Sequence, residues 1–332
     1  MKNKMYMKLG TLIFTLCMLA VCAFGSDNGQ SGANGSIYQN GVEGIQVATT
    51  PPPGLYGRVY TFYAQSESSN DQAGNNNPAL NIKANVFVVV PRLFWVPEVK
   101  IFGAEPMVSF LVPIVRPDVS VATWGTPSTP ATTLYHAAAT HFGDSSLELI
   151  LEYHRPRYDL GFGSDFIMPS GAWSLGDSTK TGSDRWTIEP DLGGTIYDKS
   201  RKTSLSVLAR YEFHSLDRHQ DIQYGQDFHF EWGLAHRFGK HGSGLFQPFD
   251  IGPVGYCAWK TSDDHGHDVT WNRFDHGHGM GIGPEIRFVL PNTHVVAQFR
   301  GVVDFDVASR TKYNTVYLVF SKALSKEEEH KK

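Results

Sequence analysis

The densest run of chemistry-bearing side chains is Asp263-Asp264-His265-Gly266-His267-Asp268, followed by Asp275-His276-Gly277-His278. Four histidines and four aspartates within sixteen residues could bind zinc, copper or nickel through imidazole and carboxylate. The two His-x-His pairs, His265 with His267 and His276 with His278, could meet across a hairpin loop. The alternative is a solvated loop, where Asp, His and Gly are common. A cysteine-based zinc site or a disulfide scaffold within the chain is excluded. Cys17 and Cys22 lie in an N-terminal apolar run, which leaves Cys257 alone.

A second set of charges recurs at alternate positions. Its acids are Glu148, Glu152, Asp159, Asp165, Glu189, Asp191, Glu212, Asp227, Glu231, Glu285 and Asp304, and its bases are Arg210, Arg237, Arg287 and Arg300. Residues two apart share one face of a strand, so these charges belong to wet faces. Charged rings around an enclosed interior tune which solutes pass. Eleven acids against four bases would disfavour small anions and admit neutral or cationic solutes. The same side chains could instead pair with one another and rigidify a closed interior. A lipid hydrolase would need a histidine and a serine side by side near the rim. His236 lies on the apolar face of its segment with no serine at a convincing spacing. No catalytic residue and no cofactor are expected.

What positions these residues is a period of two. In Ser145–Arg155, Leu147, Leu149, Leu151 and Tyr153 oppose Glu148, Glu152 and His154. The same alternation runs through Tyr158–Met168, Arg185–Tyr197, Thr203–His214, Gln226–Phe238, His278–Leu290 and Asn292–Phe305, so each is predicted to be a strand with one oily and one wet face. Five noisier segments are strand-like: Leu55–Ser66, Ile82–Trp95, Glu105–Ser120, Leu245–Trp259 and Tyr313–Leu324. Prolines at 91, 106, 113, 248 and 253 point to bulges or strand ends there. Composition agrees with this pattern. The chain has 332 residues, 41% hydrophobic and 19% charged, which excludes disorder throughout. A mean hydropathy of −0.26 with one long apolar run excludes a polytopic helical membrane protein. Aromatics at 13% and 33 glycines suit strands and turns, and a net charge of −4 does not invite nucleic acid.

Twelve strands are expected, with short connections on one rim, as at Arg155-Pro156-Arg157, and longer loops on the other, as at Val121–Asp144. That asymmetry and the even number describe an all-β, antiparallel transmembrane β-barrel of the outer-membrane type. Tyr153, Tyr158, Phe238 and Phe288 fall near the short-turn ends of oily faces, and Trp186, Phe213, Phe228 and Phe305 near the long-loop ends. Two aromatic girdles around an aliphatic band fit a lipid-facing surface. In a soluble sandwich or lipocalin-like barrel the seven oily stripes would point inward and overfill the interior. Unpaired strand edges are costly in hydrocarbon, so the first and last strands should pair.

The ends of the chain read differently. Lys2, Lys4 and Lys8 precede an apolar run from Leu9 to Phe24, and Ala23-Phe24-Gly25 has small residues where a signal peptidase needs them. Residues 1–25 are therefore expected to be a cleaved secretory signal, and a lipoprotein anchor at Cys22 fits less well because Val21 is bulky. Residues 26–50, rich in Gly, Asn, Ser and Gln, are expected to be a flexible lead-in to a barrel over 51–323. Residues 324–332 read as a charged, solvated tail.

Several short motifs, in order, resemble an outer-membrane transporter family, the meta-pathway of phenol degradation proteins. They are Pro52-Pro53-Gly54-Leu55-Tyr56, Pro91-Arg92-Leu93-Phe94-Trp95, Pro169-Ser170-Gly171-Ala172-Trp173, Asp184-Arg185-Trp186 with Glu189-Pro190, and Gly281-Ile282-Gly283-Pro284. The family usually has Pro-Thr-Gly where this chain has Pro169-Ser170-Gly171, and Ala131–His141 and the His-rich loop have no counterpart in it. The resemblance implies a passive channel for small, hydrophobic or aromatic compounds in the bacterial outer membrane, and not an enzyme. Its expected partners are outer-membrane lipid, a small-molecule solute and the barrel-assembly machinery, with no nucleic acid. The alternative is a closed structural or surface-binding barrel acting through its long loops.

Overall fold

A computed structural model describes residues 36, 38–76, 80–124, 130–239, 248–291 and 293–325. The expected signal over residues 1–25 and most of the charged tail lie outside the described residues. Among the described residues there is no helix; the chain is strands, turns and loops.

The strands are β1 (Gly54–Ser69), β2 (Leu80–Val96), β3 (Glu105–Leu111), β4 (Ile114–Thr123), β5 (Thr133–Ala138), β6 (His141–Phe142), β7 (Ser146–His154), β8 (Tyr158–Ile167), β9 (Thr187–Tyr197), β10 (Thr203–His214), β11 (Asp227–Phe238), β12 (Phe249–Lys260), β13 (His278–Val289), β14 (Val296–Ala308) and β15 (Thr311–Ala323). All pairings are antiparallel, and neighbours in sequence pair from β7 through β15. The ring closes because β1 pairs with both β2 and β15, for example Val59 with Pro91 and with Phe320. Closure leaves no edge facing hydrocarbon.

Fifteen elements make twelve wall strands. β3 and β4 are one strand broken at Val112-Pro113, since proline removes a ladder donor. β5, β6 and β7 are likewise successive parts of one descending strand: β5 and β6 pair with β4, and β7 pairs with β3 and β8. Much of Val121–Asp144, expected to be a loop, is therefore strand. β14 begins at Val296 where alternation suggested Asn292, and its turn to β15 is only Ser309-Arg310, with Ser309 at φ 55°.

The two faces separate as the alternation requires. Leu149 and Phe162 are 43% exposed on the outer wall, while Glu148 and Arg210 on the inner side are 5% and 6% exposed. Trp186, Phe213 and Phe305 are exposed near the long-loop rim, as are Tyr158 and Phe238 near the other. The noisy strands differ in one respect: their inner face is also apolar. On β1, Val59 and Tyr63 point out while Tyr60 and Phe62 are buried. On β2, Phe87, Leu93 and Trp95 point out while Val88, Val90 and Phe94 are buried.

Candidate functional site

The interior is not empty. From Tyr38 to Thr50 the chain enters the barrel ahead of β1, and Ile45 and Ala48 are buried there. This is the stretch whose composition suggested a flexible lead-in; over residues 38–50 it is instead fixed by the wall. Non-regular backbone at membrane depth needs every amide satisfied within the protein. Wall carboxylates supply the acceptors. Gly41 N–H donates to Glu231 Oε1 at 2.5 Å and Glu43 N–H to Glu231 Oε2 at 2.8 Å. Ile45 N–H donates to Glu285 Oε2 at 3.2 Å, and Thr50 N–H to Glu152 Oε2 at 2.7 Å. The Thr49 hydroxyl donates to Asp159 Oδ2 at 3.2 Å. In return Arg300 Nη2 donates to the Val42 carbonyl at 2.5 Å, and the Tyr38 ring stacks on His229 with centroids 4.5 Å apart.

The remaining charges pair along the wall. Arg300 Nη1 lies 2.8 Å from Glu285 Oε2, and Arg210 Nε lies 2.9 Å from Glu189 Oε1. Arg237 and Arg287 converge on Asp250, each at 2.8 Å. Asp304 accepts the Tyr256 hydroxyl at 2.6 Å, and Asp191 is opposite Arg210 in the ladder. Glu212 and Asp227 stand opposite one another on β10 and β11. Glu148 is paired with Arg92, whose Nη1 is also 3.5 Å from Glu43. Of the fourteen inner-face residues named from the sequence apart from Asp165, all but Arg237 and Arg287 are buried. Those two arginines lie half-buried toward the short-turn rim.

Several interior residues escaped the alternation argument. Arg58, Arg92 and Arg310 come from or beside the noisy strands, and Arg310 Nη2 is 2.8 Å from Asp227 Oδ1. Glu43 belongs to the inner segment, 3.9 Å from Arg58 and bonded by the Tyr60 hydroxyl at 2.8 Å. His229 was visible on the wet face of its strand but was not weighed as a charge. The acid excess counted from seven strands is thus offset three ways: by these arginines, by imidazoles and by backbone amides.

The His-rich loop does not gather its imidazoles. His267 pairs with Asp221 at 2.5 Å, His276 with Asp263 at 2.8 Å and His278 with Asp306 at 3.2 Å. His265 forms a backbone bridge with Gln223. Among the described residues, the two groups of three side chains close enough to share an ion are Glu152–His154–Asp159 and Glu189–Glu212–His229, both in the barrel wall. His236 sits at the short-turn rim, 2.9 Å from the Thr203 hydroxyl and edge-on to Phe238.

Beside the inner segment, toward the long-loop rim, lies a cavity of about 470 Å³. One wall is apolar: Phe62, Val86, Val88, Val90, Leu111 and Val115 from β1 to β4. The opposite wall carries Glu148, Asp165, Arg210 and Asp217, and Tyr38, Val42 and Glu43 come from the inner segment. Trp173, Lys180 and Tyr224 from the long loops complete it. A chamber with one greasy side and a few polar groups suits a small, largely apolar molecule.

The sequence model of the family described as "Putative MetA-pathway of phenol degradation" matches residues 66–320. No curated protein matches the chain. Among solved structures, the chain is similar to the COG4313 outer membrane channel from Pseudomonas putida F1, with 15% identity and a TM-score of 0.63 over 83% of this chain and 97% of that one. It also aligns with the beta domain of the Bordetella autotransporter BrkA, with 10% identity and a TM-score of 0.42 over 82% of this chain and 99% of that one. For the transport unit of the autotransporter AIDA-I from Escherichia coli the values are 8% and 0.44, over 84% and 94%. At 15% identity the first likeness shows the fold, that of an outer-membrane channel.

Proposed function

The chain belongs to the phenol-degradation MetA-pathway family, and from that premise we propose that it is a passive outer-membrane channel for small hydrophobic compounds, aromatic ones in particular. The observation that carries this reading is the cavity of about 470 Å³ with its valine- and phenylalanine-lined wall. A hydrophilic solute gains nothing from Val86, Val88 and Val90, whereas an aromatic ring is desolvated against them. The carboxylates around the cavity are largely paired with arginines, as Glu148 is with Arg92 and Asp217 with Arg185, so the chamber favours a neutral solute. Residues 1–25 serve as the export signal, and the barrel-assembly machinery inserts the wall. The test is uptake of a radiolabelled aromatic hydrocarbon by cells deleted for the gene. Restored uptake on complementation supports the reading, and uptake equal with and without the protein removes it.

A second reading is favoured by the filled interior: a closed barrel that acts through its long loops. Planar-bilayer recording separates the two. A persistent small current supports a path past the inner segment, and no current under any condition supports the closed barrel.

A further inference from the structure

Toward the outer ends of β9, β10 and β11 the register sets three carboxylates in a row. Glu212 is directly opposite Asp227, and the pairings Arg210–Asp191 and Phe213–Ile188 bring Glu189 beside Glu212 on the other side. Glu189 and Glu212 are 0% exposed and Asp227 is 1% exposed. Like charges opposed across a sheet repel, and burial strengthens the repulsion. Arginines pair with the flanks of the row. Arg210 lies against Glu189 Oε1 and Arg310 against Asp227 Oδ1, each within 3 Å. The other oxygens, Glu189 Oε2 and Asp227 Oδ2, have no hydrogen-bond partner.

Two imidazoles close the cluster. His229 Nε2 stands 3.3 Å from Glu212 Oε1 and 3.5 Å from Glu189 Oε2. His229 is 1% exposed, and neither of its ring nitrogens has a hydrogen-bond partner. His214 Nδ1 is held 2.8 Å from the Thr187 hydroxyl, which turns its Nε2 toward Glu212 Oε2 and Asp227 Oδ2, each 3.6 Å away.

We propose that Glu189, Glu212 and His229 bind one first-row divalent cation in the barrel wall. Their ligand atoms lie within 4.8 Å of one another. Nitrogen and oxygen donors bound to zinc at about 2.0–2.1 Å in a tetrahedron are roughly 3.3–3.4 Å apart, which is the spacing His229 shows to its acids. One imidazole with two carboxylates suits zinc better than magnesium or calcium, which favour all-oxygen shells. The three carboxylates of the row outnumber its two arginines, which leaves negative charge for a cation, and the site lies toward the long-loop rim. The site is covered by the inner segment: the Ser36 hydroxyl donates to Glu212 Oε1 at 2.6 Å, and Tyr38 stacks on His229. Binding there would fasten the segment to the wall.

The experiment uses the full chain, folded in detergent, stripped with chelator and titrated with zinc chloride alone by calorimetry. Folding of every variant is checked by heat-modifiable migration in gels. One equivalent of zinc is expected, with loss of roughly 10–100-fold or more in affinity for His229→Ala. The double variant His265→Ala plus His276→Ala should bind as the wild type does. Cobalt substituted into the wild type should give the visible bands of a tetrahedral nitrogen–oxygen site, a readout that needs no variant. Folded wild type that takes up no zinc, or equal uptake by folded His229→Ala, would overturn the assignment. Loss of uptake in the loop variant alone would also overturn it, by moving the ion to the His-rich loop.

Discussion

Gly44 and Glu285 meet so closely that no side chain fits between them. A Cβ on Gly44 would lie 1.7 Å from Glu285 Oε2 and 1.9 Å from Arg300 Nη1. The carboxylate cannot retreat easily, since that oxygen also accepts the Ile45 amide and the Arg300 guanidinium. Gly44→Leu should therefore push the inner segment off the wall. The expected result is a several-fold rise in single-channel conductance with the barrel still folded. Unchanged conductance would mean that the segment does not limit the path.

Glu231 accepts two backbone amides of that segment, from Gly41 and Glu43. A buried amide left without an acceptor costs about 1–3 kcal/mol. Glu231→Ala should accelerate hydrogen exchange at Gly41 and Glu43, with Glu231→Gln intermediate because one acceptor oxygen remains. Equal protection in all three proteins would contradict the hydrogen-bonding scheme.

Arg300 and Glu285 form an ion pair with both partners about 1% exposed. Removing one partner leaves the other charge buried, at a cost of about 3–5 kcal/mol. Arg300→Ala should lower the urea midpoint of the vesicle-embedded barrel accordingly. The double variant Arg300→Met plus Glu285→Leu should recover only part of the loss, because it also strands the Ile45 amide and the Val42 carbonyl. A midpoint insensitive to Arg300→Ala would show that the pair is hydrated.

Leu149 and Glu148 are adjacent on β7 and face opposite ways. Arginine on the lipid side near mid-membrane costs about 2–4 kcal/mol. Leu149→Arg should therefore destabilise the barrel in vesicles by that order, while Leu149→Phe should be close to neutral. Tolerance of Leu149→Arg would place that face away from lipid.

Asp198 sits in the turn between β9 and β10, outside the membrane span, where it accepts the Ser200 hydroxyl at 2.6 Å and the Lys202 and Thr203 amides. The Ser200 hydroxyl and these amides hold its carboxyl down to about 2, below the ordinary value of about 3.9. A depressed carboxyl stabilises the turn fully above the ordinary value, and that contribution fades as pH falls toward 2. Ser200→Ala should raise the Asp198 midpoint in a carbon-13 carboxyl titration. An unmoved midpoint would mean that the amides alone depress it.

How far the sequence carries depends on whether the two faces of a strand differ. On β7, β9 and β10 oily and charged residues alternate cleanly, so the orientation of Leu149, Ile188 and Glu212 followed from parity alone. On β1, β2 and β12 both faces are apolar, as Tyr60 and Val88 inside and Tyr63 and Phe87 outside show. The period of two fades there, and with it went Arg58, Arg92 and the greasy side of the cavity. The inner segment was missed for a different reason. Its glycines and polar residues read as flexible because its acceptors, Glu231, Glu285 and Glu152, lie more than a hundred residues away. The unmatched acids were the one available signal, since an excess of buried carboxylate needs donors from somewhere. The His-rich loop misled in the opposite sense: proximity in sequence did not become proximity in space, and His267, His276 and His278 each found a different aspartate while His265 is held through its backbone.

The proposed channel depends on the apolar chamber beside the inner segment, through which a hydrophobic solute would have to pass. The direct measurement is the initial uptake rate of a radiolabelled aromatic hydrocarbon by a deletion strain producing wild type or Val88→Asp at equal outer-membrane levels. Wild type is expected to restore uptake, and a carboxylate at position 88 to reduce it severalfold, because the cavity wall at Val88 becomes polar. Equal rates in the two strains, or in either strain and the empty deletion, would contradict it.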